Sequence, residues 1–511
     1  MRWWVLAAGL VLLLAAESAS AAAPRFVRNI PTGETGWFSS PGLVDLDGDR
    51  RLEIVAPFYS TFVFDGKGRT LGKGTATEGR VYAPGVVADL DRDGRKEIVV
   101  GGNEGTVAAY DLVGGRLAVK WRASTCSGGQ CPETRGMAAG DLDRDGRIEV
   151  IATTTNTSDS GSQVFVFTAS GGRAPGWPQD RGYAAYGENV GVGNLDDDRQ
   201  LEVVATFDNH QIHLFNHDGT SVLASPWFKD RQTGARLGWG DFIRWLSARV
   251  EADHLHKHAG DWPHPARQAW LQWTASPPSI GDLDRDGRNE VIGIPNVEKH
   301  VPYETQAYAF MVLDGAQRGG RRSGRRHKGF TRLPLSSKPA VRGDGDWYPP
   351  SGIPAPTLVN LRGSRRPEIV ASIPDGFVYA ISPTGRRLWR YDFAHGAPKT
   401  FASEVVAADI TGNRRPELIF GTYGLAPNSG RLVVLSARGK RLYDLRLRNQ
   451  GRDGNGIGIP AAPSVADINH DGRLEIVVTT FDHGIDVYRA SKRSTRAPWP
   501  TGRGNLLRSG T

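Results

Sequence analysis

Apolar and polar residues come in short blocks along this chain, and the blocks recur in one order. Pro84-Gly85-Val86-Val87-Ala88 is a short apolar run, and Asp89-Leu90-Asp91-Arg92-Asp93-Gly94-Arg95-Lys96-Glu97 is an acidic stretch that follows it. Glu97-Ile98-Val99-Val100-Gly101 is apolar again, then Thr106 to Asp111 and Arg116 to Trp121 follow, each after a glycine turn. Short runs rich in β-branched and aromatic residues, bounded by glycine and aspartate, read as strands. The unit is four antiparallel strands with the acidic stretch between the first and the second.

The unit repeats. Its anchors stand at 45, 89, 141, 194, 282, 360, 409 and 467, mostly 44 to 58 residues apart, with two longer intervals that carry insertions. Four short strands at this period make a propeller blade, which buries both faces only by stacking on its neighbours around an axis. The expectation is an all-β, eight-bladed propeller over 24–511, with seven blades as the alternative if the degenerate sixth unit is irregular.

The acidic stretch has carboxylates at positions 1, 3 and 5, a glycine at 6 and a glutamate at 9. Such a loop wraps a hard cation in oxygen, and calcium, which takes roughly six to eight oxygens in adaptable geometry, suits it better than magnesium. The candidate ligand sets are Asp45, Asp47, Asp49 and Glu53; Asp89, Asp91, Asp93 and Glu97; Asp141, Asp143, Asp145 and Glu149; Asn194, Asp196, Asp198 and Glu202; Asp282, Asp284, Asp286 and Glu290; and Asp467, Asn469, Asp471 and Glu475. Two further copies keep the frame and lose oxygens. Arg362 takes a ligand place among Asn360, Ser364 and Glu368, and Asp409, Thr411, Asn413 and Glu417 offer a weaker shell. A single acidic turn is commonplace, since Asp and Gly favour turns; six in fixed register point to Ca2+, at up to six sites. The first loop has Gly48 at position 4 and Arg50 at position 6, and the fourth has Arg199 at position 6, which implies a different bend in those two loops.

The repeated Asp-Leu-Asp-x-Asp-Gly-Arg-x-Glu loop resembles the FG-GAP/VCBS-type repeat of secreted bacterial proteins and is similar to the calcium loops of integrin α-subunit propellers, departing from the latter in its glutamate at position 9. The resemblance spans nearly all of the chain from Pro24 and implies a propeller with its calcium loops on one face. It leaves function open, because a fold does not fix one.

Composition changes the picture in three places. The first 22 residues have Arg2, an apolar run from Trp3 to Ala16 and the small-residue box Ala19-Ser20-Ala21, as in a cleaved export signal, which implies a secreted, periplasmic or cell-surface protein. No later stretch is apolar enough to span a membrane. The formal net charge is +8, but the basic residues are scattered, which argues against a nucleic-acid partner. The two cysteines, Cys126 and Cys131, lie close enough to close a small loop as a disulfide in an oxidising compartment; a metal or redox pair is the competing reading.

Two insertions interrupt the period. Residues 229–274 hold a helix-like segment from Asp241 to Val250, a second short helix expected over Ala266–Trp273, and the cluster His254, His256, His258 and His264 between them. His254 and His258 have metal-ligand spacing on a helix, yet a solvated His-rich loop explains them as well. Residues 316–329 read as a flexible basic loop with Arg321, Arg322, Arg325, Arg326 and Lys328. Trp177-Pro178 and Trp499-Pro500 are read as packing between blades.

The acidic loops share one face, so the blade-to-blade connections emerge on the other. The irregular stretches 124–136, 181–189, 343–348 and 449–458 gather there, and such loops on a rigid scaffold are where binding residues concentrate. No nucleophile elbow, phosphate loop or dinucleotide fingerprint occurs. The favoured function is a secreted calcium-binding module for adhesion or interaction with a polysaccharide or protein outside the cell. The alternative is a polysaccharide lyase-like enzyme, with the His254–His264 cluster as its source of a base.

Overall fold

The computed structural model describes residues 21–511 apart from 76, 157–160, 182–188, 208–210, 227, 230–232, 241–269, 274–275, 299–306, 317–322, 338–353, 398 and 449–455. The described chain is an eight-bladed β-propeller of small antiparallel sheets and contains no helix. Blades one and two have four strands each, Gly42–Val44, Glu53–Pro57, Thr61–Phe64 and Thr70–Gly74, then Val86–Ala88, Glu97–Gly101, Thr106–Val113 and Arg116–Ser124. Blades six and seven repeat that plan over 357–392 and 406–446. In blades three, four and five the fourth strand shrinks to isolated bridges, Phe167 to Arg173 and Val164 to Gln179 in blade three, Phe215 to Ser221 in blade four and Leu313 to Arg326 in blade five.

The middle strands are the core. Ile98, Val99 and Val100 are fully buried, as are Val150, Ile151 and Ala152 in blade three, because both faces of a blade meet a neighbour. Each large aliphatic side chain so buried contributes about 1.5–3 kcal/mol.

Two features close the ring. Blade eight is built from Ser464–Ala466, Glu475–Thr479 and Ile485–Arg489, and the N-terminal strand Arg25–Ile30 pairs with the last of these as its fourth, outer strand. Joining the two ends of the chain in one sheet leaves no open blade edge between them. The C-terminal segment then enters the channel. Carbonyls of Trp499, Pro500, Leu506, Leu507, Ser509 and Gly510 accept the inward N–H groups of Ala407, Val465, Val87, Ala139, Val192 and Ile280 at 2.8–3.0 Å. Those donors lie on the innermost strands of blades seven, eight, two, three, four and five, and without the segment they would be buried unpaired. Arg508 is fully buried and donates to the carbonyls of Gly85, Gly502, Ser40 and Pro41 at 2.8–3.3 Å. Arg503 donates to the carbonyls of Val190 and Pro278, while Glu404 accepts from Arg503 N and Trp499 Nε1 at 2.8 and 3.1 Å.

Several expectations are refined here. Trp177 does pack between blades, donating to His217 O at 2.9 Å with its ring 5.6 Å from Phe215 of blade four; Trp499 instead belongs to the channel segment. The short helix expected over Ala266–Trp273 is in part a strand, Trp270–Gln272, paired with Asn296–Glu298. Leu271, fully buried opposite Val297, ties that segment to blade five, and this long-range pairing overrides the local helical spacing. The segment Asp241–Val250 and His254, His256, His258 and His264 lie outside the described residues. The second half of the basic stretch is not a loose loop. Arg326 and His327 are 6% and 3% exposed because this segment supplies the fourth-strand position of blade five.

Arg508→Met is expected to orphan several buried carbonyls at once. At about 1–3 kcal/mol for each group left unpaired, denaturant unfolding should report a loss of at least about 3 kcal/mol; a loss under about 1 kcal/mol would deny the segment its structural role.

Candidate metal-binding loops

In every blade the second strand begins on the position-9 glutamate, and that glutamate is 8% exposed or less. Its Oε2 accepts the backbone N–H of position 2. The eight bonds, to Leu46, Leu90, Leu142, Leu195, Leu283, Leu361, Ile410 and Ile468, measure 2.6–3.0 Å. The position-2 side chain is itself buried in all eight, so the loop is pinned to the core at its base. Around this bond the aspartates fold the turn. Asp89 accepts from Gly94 N at 3.1 Å, Asp91 from Asp93 N at 3.3 Å and Asp93 from Arg95 N at 2.8 Å, and the other acidic loops repeat most of this pattern.

Positions 4 and 6 are left-handed, with Arg92 at φ 66° and Gly94 at φ 88°. The first loop exchanges the two residue types, Gly48 at 82° and Arg50 at 70°, and keeps the same backbone path, so the bend expected to differ there does not. The fourth loop does differ, since neither Asp197 nor Arg199 has a positive φ, and Asn194 Nδ2 turns onto Asp198 O at 2.7 Å.

Carboxylate oxygens converge to within 4.8 Å of one another in Asp45, Asp47 and Glu53; in Asp89, Asp91 and Glu97; in Asp141, Asp143 and Glu149; and in Asp196, Asp198 and Glu202. The position-5 residues Asp49, Asp93 and Asp145 are not part of those groups. In blade five the convergent set is Glu290, Asp314 and His327, with Nδ1 of His327 2.7 Å from Asp314 Oδ1 and 3.9 Å from Glu290 Oε1, while Asp284 lies 3.8 Å from Nε2 and Asp282 and Asp286 accept turn N–H groups as their counterparts in the other loops do. Asp314 stands directly across from Glu290 in the sheet. In blade eight Arg489 is paired with Asp471 and Glu475, and Asp467 and Asn469 accept backbone N–H groups of the turn. Arg362 bonds Glu368 Oε1 at 2.7 Å, and in blade seven Thr411 and Asn413 do the same for Glu417 at 3.0 and 3.2 Å.

An all-oxygen donor set on a short loop fits calcium rather than a nitrogen- or sulfur-seeking metal. Glu202 Oε1 is buried without a hydrogen-bond partner, as an oxygen reserved for a cation would be. Burial, reinforced by the adjacent aspartates, pushes Glu53 and Glu149 up to about 7 and Glu202 to about 8. Burial also drives Glu290 to about 8, against the opposing pull of His327.

Lys120, Arg489, His327 and Asp314 went unnoticed as partners of these loops. Asp314 was visible in principle as the residue two-residue alternation places opposite Glu290; the others required the strand register. The loops expected to line the opposite face are described only in part, the disulfide Cys126–Cys131 among them. Residues 182–188, 343–348 and 449–455 lie outside the described residues.

Residues 65–152, from the edge of blade one to the second strand of blade three, match the FG-GAP-like repeat model. The chain is thus an eight-bladed β-propeller that carries an FG-GAP-like repeat. No curated protein matches it. Among solved structures it is similar to BamB from Moraxella catarrhalis, with 14% identity, a TM-score of 0.47 and coverage of 91% of this chain and 98% of that one. It is similar also to the Dos1 propeller (10% identity, TM-score 0.48, 93% and 96% covered) and to the V. cholerae biofilm matrix protein Bap1 (14%, 0.36, 89% and 78%).

With metal chelated, the raised glutamates set a pH dependence. They hold protons in the folded chain up to about 7 or 8 and release them in the unfolded chain near 4.5. The folded state then binds more protons, so its stability is full below the lower value and falls as pH rises. The thermal midpoint in chelator is expected to fall from about pH 5 to about pH 8, and less steeply in Glu202→Gln. A rising midpoint would contradict the assignment.

Proposed function

We propose that this chain is an exported, calcium-stabilised propeller that acts as an interaction module, taking its polysaccharide or protein partner on the face opposite the acidic loops. The observation that carries the reading is the convergence of carboxylates in blades one, three and four, for which no side-chain cation supplies an ion pair among the described residues. Three or four carboxylates per loop at such spacing repel one another, and a divalent ion relieves this. No helix among the described residues is long and apolar enough to cross a membrane. The apolar N-terminal run and the Cys126–Cys131 disulfide support export.

The opposite face supports the interaction role. Phe38, Tyr82, Phe401, Tyr423 and Phe481, from blades one, two, seven and eight, form one buried aromatic cluster. Arg80 stacks on Trp37 at 4.3 Å and Arg135 on Tyr82 at 4.1 Å, with Glu133 bonded to Arg80 at 2.6 Å. This rigid floor presents Tyr59 and Leu425 outward, 41% and 37% exposed, at the turns after the second strands. Aromatic and arginine side chains on a stiff base are the usual anchors of recognition.

Chelator is expected to lower the thermal midpoint and calcium to restore it, with magnesium restoring less, because a ligand held only by the folded state stabilises by about 2.7 kcal/mol at a hundredfold excess over Kd. No response to either treatment would sink the calcium reading. Incubated with a panel of acidic polysaccharides, the protein should show retention on the immobilised glycan and no rise in absorbance from unsaturated product; such a rise would favour the lyase alternative instead.

A further inference from the structure

The eight loops do not stand alike toward a metal ion, and in blades two and eight the difference lies outside the loop. In all five four-stranded blades the fourth strand carries one extra residue at the same place, which in blade eight is Val27, between Phe26–Tyr488 and Arg28–Val487. The register steps from Val63–Gly72 to Phe64–Thr70 in blade one, from Ala109–Trp121 to Tyr110–Val119 in blade two, from Ala380–Trp389 to Ile381–Arg387 in blade six and from Val434–Tyr443 to Leu435–Arg441 in blade seven. The residue left out of the pairing is Leu71, Lys120, Leu388 and Leu442 respectively. A bulge re-aims its side chain. In blade two alone that side chain is a cation.

Its ammonium reaches the centre of the acidic loop. Lys120 Nζ lies 2.6 Å from Glu97 Oε1 and 2.8 Å from Asp91 Oδ2, with Asp93 Oδ2 and Asp111 Oδ1 each at 3.8 Å. Two of these are oxygens that a metal ion would have to hold at roughly 2.3–2.6 Å, so ammonium and metal compete for one position. The ammonium has three protons and does not serve every oxygen, and Asp89 Oδ1 stays without a hydrogen bond beside it. Blade eight reaches the same end by another strand. Arg489, directly across from Glu475 in the third strand, pairs with Asp471 and, at 3.4 Å, with Glu475 Oε1.

We propose that Lys120 and Arg489 are resident cations of the loops of blades two and eight, so that these two loops take up no divalent ion while those of blades one, three and four stay open to it. The second half of this statement rests on the calcium reading above; the first does not.

The test uses the full chain, stripped with chelator and reloaded with calcium. Lys120→Met and Arg489→Met are each expected to bind one calcium per chain more than the parent by equilibrium dialysis. An unchanged, non-zero count overturns the proposal. A second arm needs no metal and does not depend on the lysine variant folding. In chelator, Asp91→Asn removes a partner of Lys120 and should lower the thermal midpoint by about 2 °C. Asp143→Asn, at the same loop position in blade three, removes only repulsion and should leave the midpoint unchanged or raise it. Equal shifts of the same sign overturn the resident cation. If parent and variants bind no calcium while the two aspartate variants shift oppositely, the calcium reading falls and the resident cations stand.

Discussion

The bond from the position-2 amide to a buried glutamate nine places into each loop is the contact on which the blades depend. It appears in all eight, whether the loop between is rich in carboxylates or has lost them. Burying a carboxylate is costly unless it is paired. Here one oxygen is committed to the amide that opens the turn, while the backbone of the same residue begins the second strand. The glutamate therefore fixes loop length and strand register together, and a slip by one residue would exchange the side chains that pack on the two neighbouring blades. What occupies its other oxygen is a separate matter, and there the loops diverge.

Ring closure shows a different economy. The blades are alike, yet the channel they enclose is not left to itself. A segment with no strand periodicity, rich in Gly, Arg and Pro, runs through it and serves the inward amides of six blades. Two arginines buried in such a place are tolerable because carbonyls from several blades meet them, and a planar guanidinium with five donors suits that multiplicity. The strand Arg25–Ile30 and the segment after Arg489 are thus both part of the ring.

How much of this the sequence disclosed depends on range. The strands and acidic turns were legible because short apolar runs and turn chemistry are local, and the fixed spacing of Asp89 to Glu97 and its repeats pointed to eight blades, with seven as the alternative. The exchange of Gly48 and Arg50 misled, because glycine identity is an imperfect guide to φ; arginine accepts the left-handed region in five of these loops when aspartate oxygens hold the turn. The channel role of Arg503 and Arg508 could not be read, since the carbonyls they reach on the blades sit 225 to 468 residues away. Lys120 was hidden for a similar reason. In alternation it is one more residue of an exposed edge strand, and only a bulge, invisible to pattern, turns it inward.

The same bulge explains how the loops could drift apart without harm to the blade. The bulged position is leucine in blades one, six and seven, and a cation there, as Lys120 is in blade two, supplies from within what the loop would otherwise draw from solvent. Blade six reaches neutrality from the loop itself, with Arg362 at a ligand place on Glu368, and blade seven by hydroxyl and amide donors on Glu417. Each solution meets the free glutamate oxygen and leaves the amide bond intact. A fold held by the amide bond thus tolerates gain or loss of a cation in the loop one blade at a time, and on the calcium reading proposed above the number of ions would be set by residues on the third and fourth strands as much as by the acidic turns.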